Sequence, residues 1–182
     1  LPDLVINQVE DTIRDIAADG KFPVMIGGEH SVTVGAVRAL SPECYIVCDA
    51  HLDLRDEFGG TIYNHACVTR RVLDLGVGDV FVIGARSGTL EEYELVKNDP
   101  RLHAYSPEEI DARGLDAVLD EIEEKVSGKK IYLSIDADAV DCCLTPGLGT
   151  PEPFGITPGD IRSVVDRFGP SCCGFDYVEV CP

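Results

Sequence analysis

The chain has 182 residues, 45% apolar and 26% charged, the proportions of a globular domain with a sizeable core. Its 33 acidic residues against 15 basic ones leave a net charge of −18, which argues against nucleic acid or an anionic membrane as partner and suits a small cation. No apolar run approaches the roughly 20 residues that span a bilayer, and no basic segment before an apolar stretch marks a secretory signal, so a cytoplasmic location is expected.

Val5, Ile6, Val9, Ile13 and Ile16 recur at helical spacing and predict an amphipathic helix over residues 3–19, closed by Gly20. A strand over 22–26 runs into the turn Gly27-Gly28, and Val34, Val37 and Leu40 predict a helix from Ser31 onward. A strand over 45–49 leads into a loop rich in Asp, Glu and Gly, followed by a helix over 65–75 and a β-branched strand over 80–84. A helix over 91–97, a short strand over 102–105 and a helical turn started by Ser106, with Glu109 at capping-box spacing, come next. A helix over 115–126, a buried strand over 130–135, a Pro/Gly loop over 142–157, a helix over 157–168 begun by Pro158 and a strand over 172–178 complete the pattern.

Strands separated by helices imply a three-layer α/β/α domain with a mainly parallel sheet. Neither a repeat nor a linker interrupts residues 1–182, so a single domain is expected. The chain opens almost directly on a helix and stops just after the strand that carries Glu179, so the fold is expected to be incomplete at both termini. The eight cysteines include no C-x-x-C pair, and several sit in or beside apolar strands; reduced, buried thiols are expected.

Three clusters carry the chemistry. They are Gly27-Gly28-Glu29-His30-Ser31, Asp49-Ala50-His51-Leu52-Asp53 and Ser134-Ile135-Asp136-Ala137-Asp138-Ala139-Val140-Asp141. In extended chain, residues at i, i+2 and i+4 project to one side, so Asp49, His51 and Asp53 can aim into one space, as can Asp136 and Asp138. A lone D-x-D is commonly a solvated turn. Here each cluster directly follows an apolar run, where carboxylates are costly without partners. Acids gathered so closely repel one another unless strong positive charge lies between them, and two divalent cations supply it.

Assembled, these elements resemble the ureohydrolase family of arginase and agmatinase, with Thr145-Pro146-Gly147-Leu148-Gly149-Thr150-Pro151-Glu152-Pro153 as its Pro/Gly loop and Phe175-Asp176-Tyr177-Val178-Glu179-Val180 as its final strand. The resemblance runs in family order over essentially the whole chain. It implies two Mn²⁺ ions, one held by His30, Asp49, Asp53 and Asp136 and the other by Asp49, His51, Asp136 and Asp138, with Asp49 and Asp136 bridging. It implies hydrolysis of a guanidinium C–N bond by a metal-bridging hydroxide, with Glu179 binding the guanidinium and His65 passing a proton to the departing amine. Asp141 falls at a position that orients ligands from behind.

The segment Tyr63-Asn64-His65-Ala66-Cys67-Val68-Thr69-Arg70-Arg71 is similar to agmatinases, which makes Asn64 a candidate substrate-binding residue and agmatine, giving putrescine and urea, the first choice of substrate. Arginase, guanidinobutyrase and formiminoglutamase activities remain within the same resemblance, and a non-catalytic metal-binding or interaction protein on the same fold is the reading of a different class. Family relatives imply a homo-oligomer, trimer or hexamer. Three positions depart from the family pattern, Cys142, Leu148 and Cys181, and none of them is a ligand. A binuclear phosphoesterase needs a Gly-Asn-His-acid element, which the chain lacks.

Overall fold

The computed structural model describes residues 2–181. Helix α1 (Pro2–Ala18) precedes strand β1 (Val24–Ile26), helix α2 (Val32–Leu40) and strand β2 (Cys44–Cys48). Helix α3 (Val68–Asp74), entered through a 3₁₀ turn at His65–Cys67, leads to β3 (Asp79–Ile83), α4 (Leu90–Asn98) and β4 (Leu102–Tyr105). Helices α5 (Pro107–Arg113) and α6 (Leu115–Val126), strand β5 (Ile131–Asp136), helix α7 (Pro158–Phe168) and strand β6 (Cys172–Val178) follow. The expected elements are all present with boundaries within two residues, except that the helix expected over 65–75 opens as the 3₁₀ turn and becomes α-helical at Val68.

The six strands form one sheet in the order β1-β6-β5-β2-β3-β4, every pair parallel. Alternation along the strands divides the core. Tyr45, Val47, Val80, Val82 and Tyr132 face α1, α2 and α3, whereas Ile46, Phe81, Ile83, Leu133 and Ile135 face α5, α6 and α7. This is the expected three-layer arrangement, and it explains why β2 and β5, buried on both faces, read as continuous apolar runs.

The helices stop and start where local chemistry dictates. Thr89 and Thr157 each accept a hydrogen bond from the third helical residue, and Glu92 and Asp160 return one, so both α4 and α7 open on a capping box. Helix α2 lies close against α1 because Gly35 has no side chain; a Cβ there would sit 2.5 Å from the Ile6 carbonyl oxygen.

All strands point the same way, so the four that precede the ligand clusters deliver them to one sheet end. His30 follows β1, Asp49 follows β2, Asp136 ends β5 and Glu179 follows β6. The sheet order carries the chain outward from β2 to β3 and β4, then returns it to β5 beside β2. The ligand crevice of a parallel sheet lies at such a reversal, beyond the carboxyl ends of the strands. No helix among the described residues is long and apolar enough to cross a membrane.

Candidate metal centre

His30 is fully buried, and its Nδ1 lies 3.3 Å from Asp49 Oδ2, 3.4 Å from Asp53 Oδ2 and 3.1 Å from Asp136 Oδ2. His51 directs Nδ1 to Asp138 Oδ2 at 3.0 Å and to Asp49 Oδ1 at 3.5 Å. Two donor groups result, His30–Asp49–Asp53 and Asp49–His51–Asp138, each with its ligand atoms within 4.8 Å of one another and with Asp49 common to both. The six expected ligands are therefore brought together, with Asp136 beside His30.

The donors are held from behind. Asp49 Oδ1 accepts from the His51 N–H at 2.6 Å, Asp136 Oδ1 from the Asp138 N–H at 2.8 Å, and Asp138 from the Ala50 N–H at 3.0 Å and the Thr150 hydroxyl at 3.1 Å. Asp49 and Asp136 thus keep Oδ1 on a backbone N–H while Oδ2 faces His30, and Asp138 Oδ2 faces His51 while it accepts from Thr150. His30 Nδ1 and Asp49 Oδ2, both buried, have no hydrogen-bond partner. Orphaned buried polar atoms are rare and call for a cause; a cation between them satisfies both. The donor set of carboxylates and two imidazoles, without thiolate, suits Mn²⁺ or a similar hard to borderline divalent ion.

Protonation reflects the crowding. Burial raises Asp53 and Asp136 well above the usual carboxylate range, and the charge of Asp49 adds to it. Burial acts to lower His51, yet Asp138 and Asp49 outweigh it and push it up to about 11. In His30 burial is likewise outweighed, by Tyr45 and by Asp136, Asp49 and Asp53, and its pKa stands well above the ordinary imidazole value.

Two segments at the cluster are strained. Asp53 has φ 51° and Glu179 φ 57°, the left-handed region that non-glycine residues seldom occupy. Both lie at the metal centre, where such strain is commonly retained for function. The Asp53 segment is pinned by Glu92, a buried acid of α4 that accepts from the Leu54 N–H at 2.8 Å. Glu179 accepts from the His30 N–H at 2.6 Å, and burial raises its pKa. Glu29, His65 and Glu179 form a third group of converging side chains, with His65 Nδ1 3.5 Å from Glu29 Oε1. A cleft of about 280 Å³ opens beside the cluster, walled by His51, Asp53, Phe58, His65, Ser87 and Thr150 among others.

Asn64 and Asp141 make local hydrogen bonds. Asn64 does not line that cleft; its Oδ1 accepts from the Ala66 N–H at 3.1 Å and caps the 3₁₀ turn, a task that Asn performs well at a turn entry. Asp141 makes its hydrogen bonds within the loop that follows it. Its carboxylate accepts from the Cys143 N–H at 2.8 Å and the Gly155 N–H at 3.0 Å, bracing the Pro/Gly loop, because the 3₁₀ turn at Ala137–Ala139 carries the chain away from the cluster after Asp138. Asp141, Cys142 and Cys143 converge too, but this group is half in solvent and its acid is already hydrogen-bonded. All eight cysteines are free thiols. His103 stacks on Phe81 at 4.7 Å, away from the cluster, as a packed histidine.

Sequence reading gave no role to Ser134, Asp176, Thr150 or Arg86. Ser134 Oγ stands 3.1 Å from His30 Nε2 and donates to Asp176 at 2.5 Å. Asp176, fully buried, also accepts from the hydroxyls of Thr33 at 2.8 Å and Tyr132 at 2.6 Å. An acid inside the apolar run of β6 was the available signal.

The whole chain, residues 1–182, matches the Arginase family. It is 38% identical over 98% of its length to the N(1)-aminopropylagmatine ureohydrolase of Thermococcus kodakarensis and 37% identical over 93% of its length to the agmatinase of Pyrococcus horikoshii, covering 61% and 59% of those proteins. The solved agmatine ureohydrolase of Thermoplasma volcanium superposes with a TM-score of 0.90 at 40% identity, over 100% of this chain and 62% of that one. The chain thus spans about 60% of the length of these relatives. With its sheet, its ligand clusters and their order all in agreement, this chain belongs to the arginase family.

Proposed function

We propose that the protein is a binuclear manganese ureohydrolase that cleaves agmatine to putrescine and urea. The observation that carries this reading is the pair of donor groups sharing Asp49, with His30 Nδ1 and Asp49 Oδ2 buried and unpartnered between them. His30, Asp49, Asp53 and Asp136 would hold one ion, and Asp49, His51, Asp136 and Asp138 the other. Such a pair supplies Lewis acidity and lowers the pKa of water toward neutrality.

The chain's own residues supply the rest. Glu179, half-buried at the mouth of the cluster, offers its carboxylate to a planar cation, and a carboxylate can accept two parallel N–H bonds from a guanidinium. Its other engagement, with the His30 N–H, fixes the side chain before substrate arrives. His65 lines the cleft beside Glu179 and serves as the group that gives a proton to the departing amine, with Glu29 facing Nδ1 and steadying the ring. The surplus of acids favours a dication over a zwitterion.

The two agmatine-cleaving relatives by name, from Pyrococcus and Thermoplasma, support agmatine as substrate. The Thermococcus protein's name supports a second candidate, N(1)-aminopropylagmatine, a longer cation with the same guanidinium. The test is urea release from Mn²⁺-loaded protein given each of these, arginine and guanidinobutyrate in turn. Agmatine is expected to give the highest kcat/KM; urea from none of the four would favour a non-catalytic metal-binding protein on this fold.

A further inference from the structure

We propose that Arg86 is a positioning residue for one of the two cation subsites, the one formed by Asp49, His51 and Asp138; the inference rests on the two-ion reading given above. An arginine side chain has five N–H donors in a rigid planar fork. In Arg86 all five are engaged, and every acceptor is a backbone carbonyl. Nε–H donates to Pro153 at 2.9 Å, Nη1 to Gly84 and Ala139 at 3.1 Å each, and Nη2 to Asp138 at 2.9 Å and Glu152 at 2.8 Å. Three separate segments meet on one guanidinium: the end of β3, the turn that carries Asp138, and the Pro/Gly loop.

The backbone of Arg86 is tied to the remaining ligand segment. The N–H groups of Arg86 and Ser87 both donate to the Ala50 carbonyl, at 2.8 and 2.9 Å, and Ala50 lies between Asp49 and His51. The Ala50 N–H in turn donates to Asp138 Oδ1 at 3.0 Å. One residue therefore grips the β2 ligand pair through its main chain and the β5 ligand through its side chain. It makes no contact of this kind with His30 or Asp53. Space around it is tight, since a Cβ added at Gly155 would lie 2.5 Å from the Asp141 nitrogen, 2.7 Å from the Ala139 oxygen and 2.7 Å from Arg86 Nη2.

This arrangement predicts an unequal effect on the two ions. Lysine keeps the charge but has three donors on one nitrogen and cannot span five carbonyls. In R86K the cation at Asp49–His51–Asp138 should bind about 10- to 100-fold more weakly, the usual consequence of losing a partner that orients ligands. The cation at His30 shares Asp49 with that subsite but draws its other ligands from outside the clamp, so it should weaken less.

The experiment is Mn²⁺ titration of the intact protein, followed by the electron paramagnetic resonance of free Mn²⁺, for wild type, R86K and G155A. Hydrogen exchange on the metal-free proteins runs alongside. Expected are two ions in wild type, a larger weakening of one than of the other in both variants, and faster exchange of the Asp141 and Ile156 amides with α6 protection unchanged. Equal weakening of both ions, or unchanged binding of both, overturns the role of Arg86 while leaving the two-ion reading intact. Uptake of fewer than two ions by wild type overturns that reading and this inference with it.

Discussion

Ser134 holds His30 by the ring nitrogen that faces away from the carboxylates: Oγ lies 3.1 Å from Nε2 and passes its own proton to Asp176. With Nε2 the donor, Nδ1, which faces Asp49, Asp53 and Asp136, is the nitrogen that would give its lone pair to a cation once its proton has left. The tautomer needed for ligation is thus set by a hydroxyl and a buried acid behind the ring.

Ser134→Ala removes that lock and leaves Asp176 with the Thr33 and Tyr132 hydroxyls only. Metal affinity should fall by about 10- to 100-fold, and the apo fold should lose about 1–3 kcal/mol for a buried polar group left unpaired. Mn²⁺ titration and urea denaturation of the variant check the two effects; an unchanged affinity would show that the ring needs no such support.

Glu179→Gln retains an acceptor for the His30 N–H but loses the charge. Transition-state binding should weaken by about 1.5–3 kcal/mol, the worth of a hydrogen bond to a charged group, with the metal count unchanged. Steady-state kinetics beside metal analysis reads both. A variant that loses metal instead would make Glu179 part of the cation site.

For His65→Asn, kcat should drop about 10²- to 10⁴-fold while both ions stay bound, because His65 lies outside both donor groups that share Asp49. A variant with full turnover would remove His65 from the proton path.

Metal binding should release protons. In the metal-free fold His30, His51, Asp53 and Asp136 all have pKa values above their ordinary ones. Groups shifted upward contribute stability that is complete below their unfolded pKa and lost as pH rises through the folded one. Their contribution to the apo protein therefore falls from acid to alkaline pH, and for His51 the loss extends to about 11. Mn²⁺ requires those protons to leave, so its stabilising effect should grow between about pH 6 and about pH 8. Thermal melts with and without Mn²⁺ at both values test the sign, and a larger shift at the lower pH would contradict it.

The ligands were legible because strand-end spacing leaves a plain mark: acids and imidazoles at every second position after an apolar run. The sheet and its two helical layers were legible for the same reason, from β2 and β5 as largely apolar strands and α1 and α6 as periodic helices. What was hidden depends on contacts distant in sequence. Arg86 bonds only to carbonyls, which carry no side-chain signature. Asp176 finds Thr33 143 residues away. The local hydrogen bonds of Asn64 and Asp141 were hidden too, since Asn and Asp satisfy nearby N–H groups as readily as they serve a site.

Anomalous diffraction at the manganese edge from crystals of the Mn²⁺-loaded protein tests the central claim most directly. Two peaks are predicted, one among His30, Asp49, Asp53 and Asp136 and the other among Asp49, His51, Asp136 and Asp138, with Asp49 touching both. A cluster without either peak, or manganese found only at Asp141, Cys142 and Cys143, would contradict it.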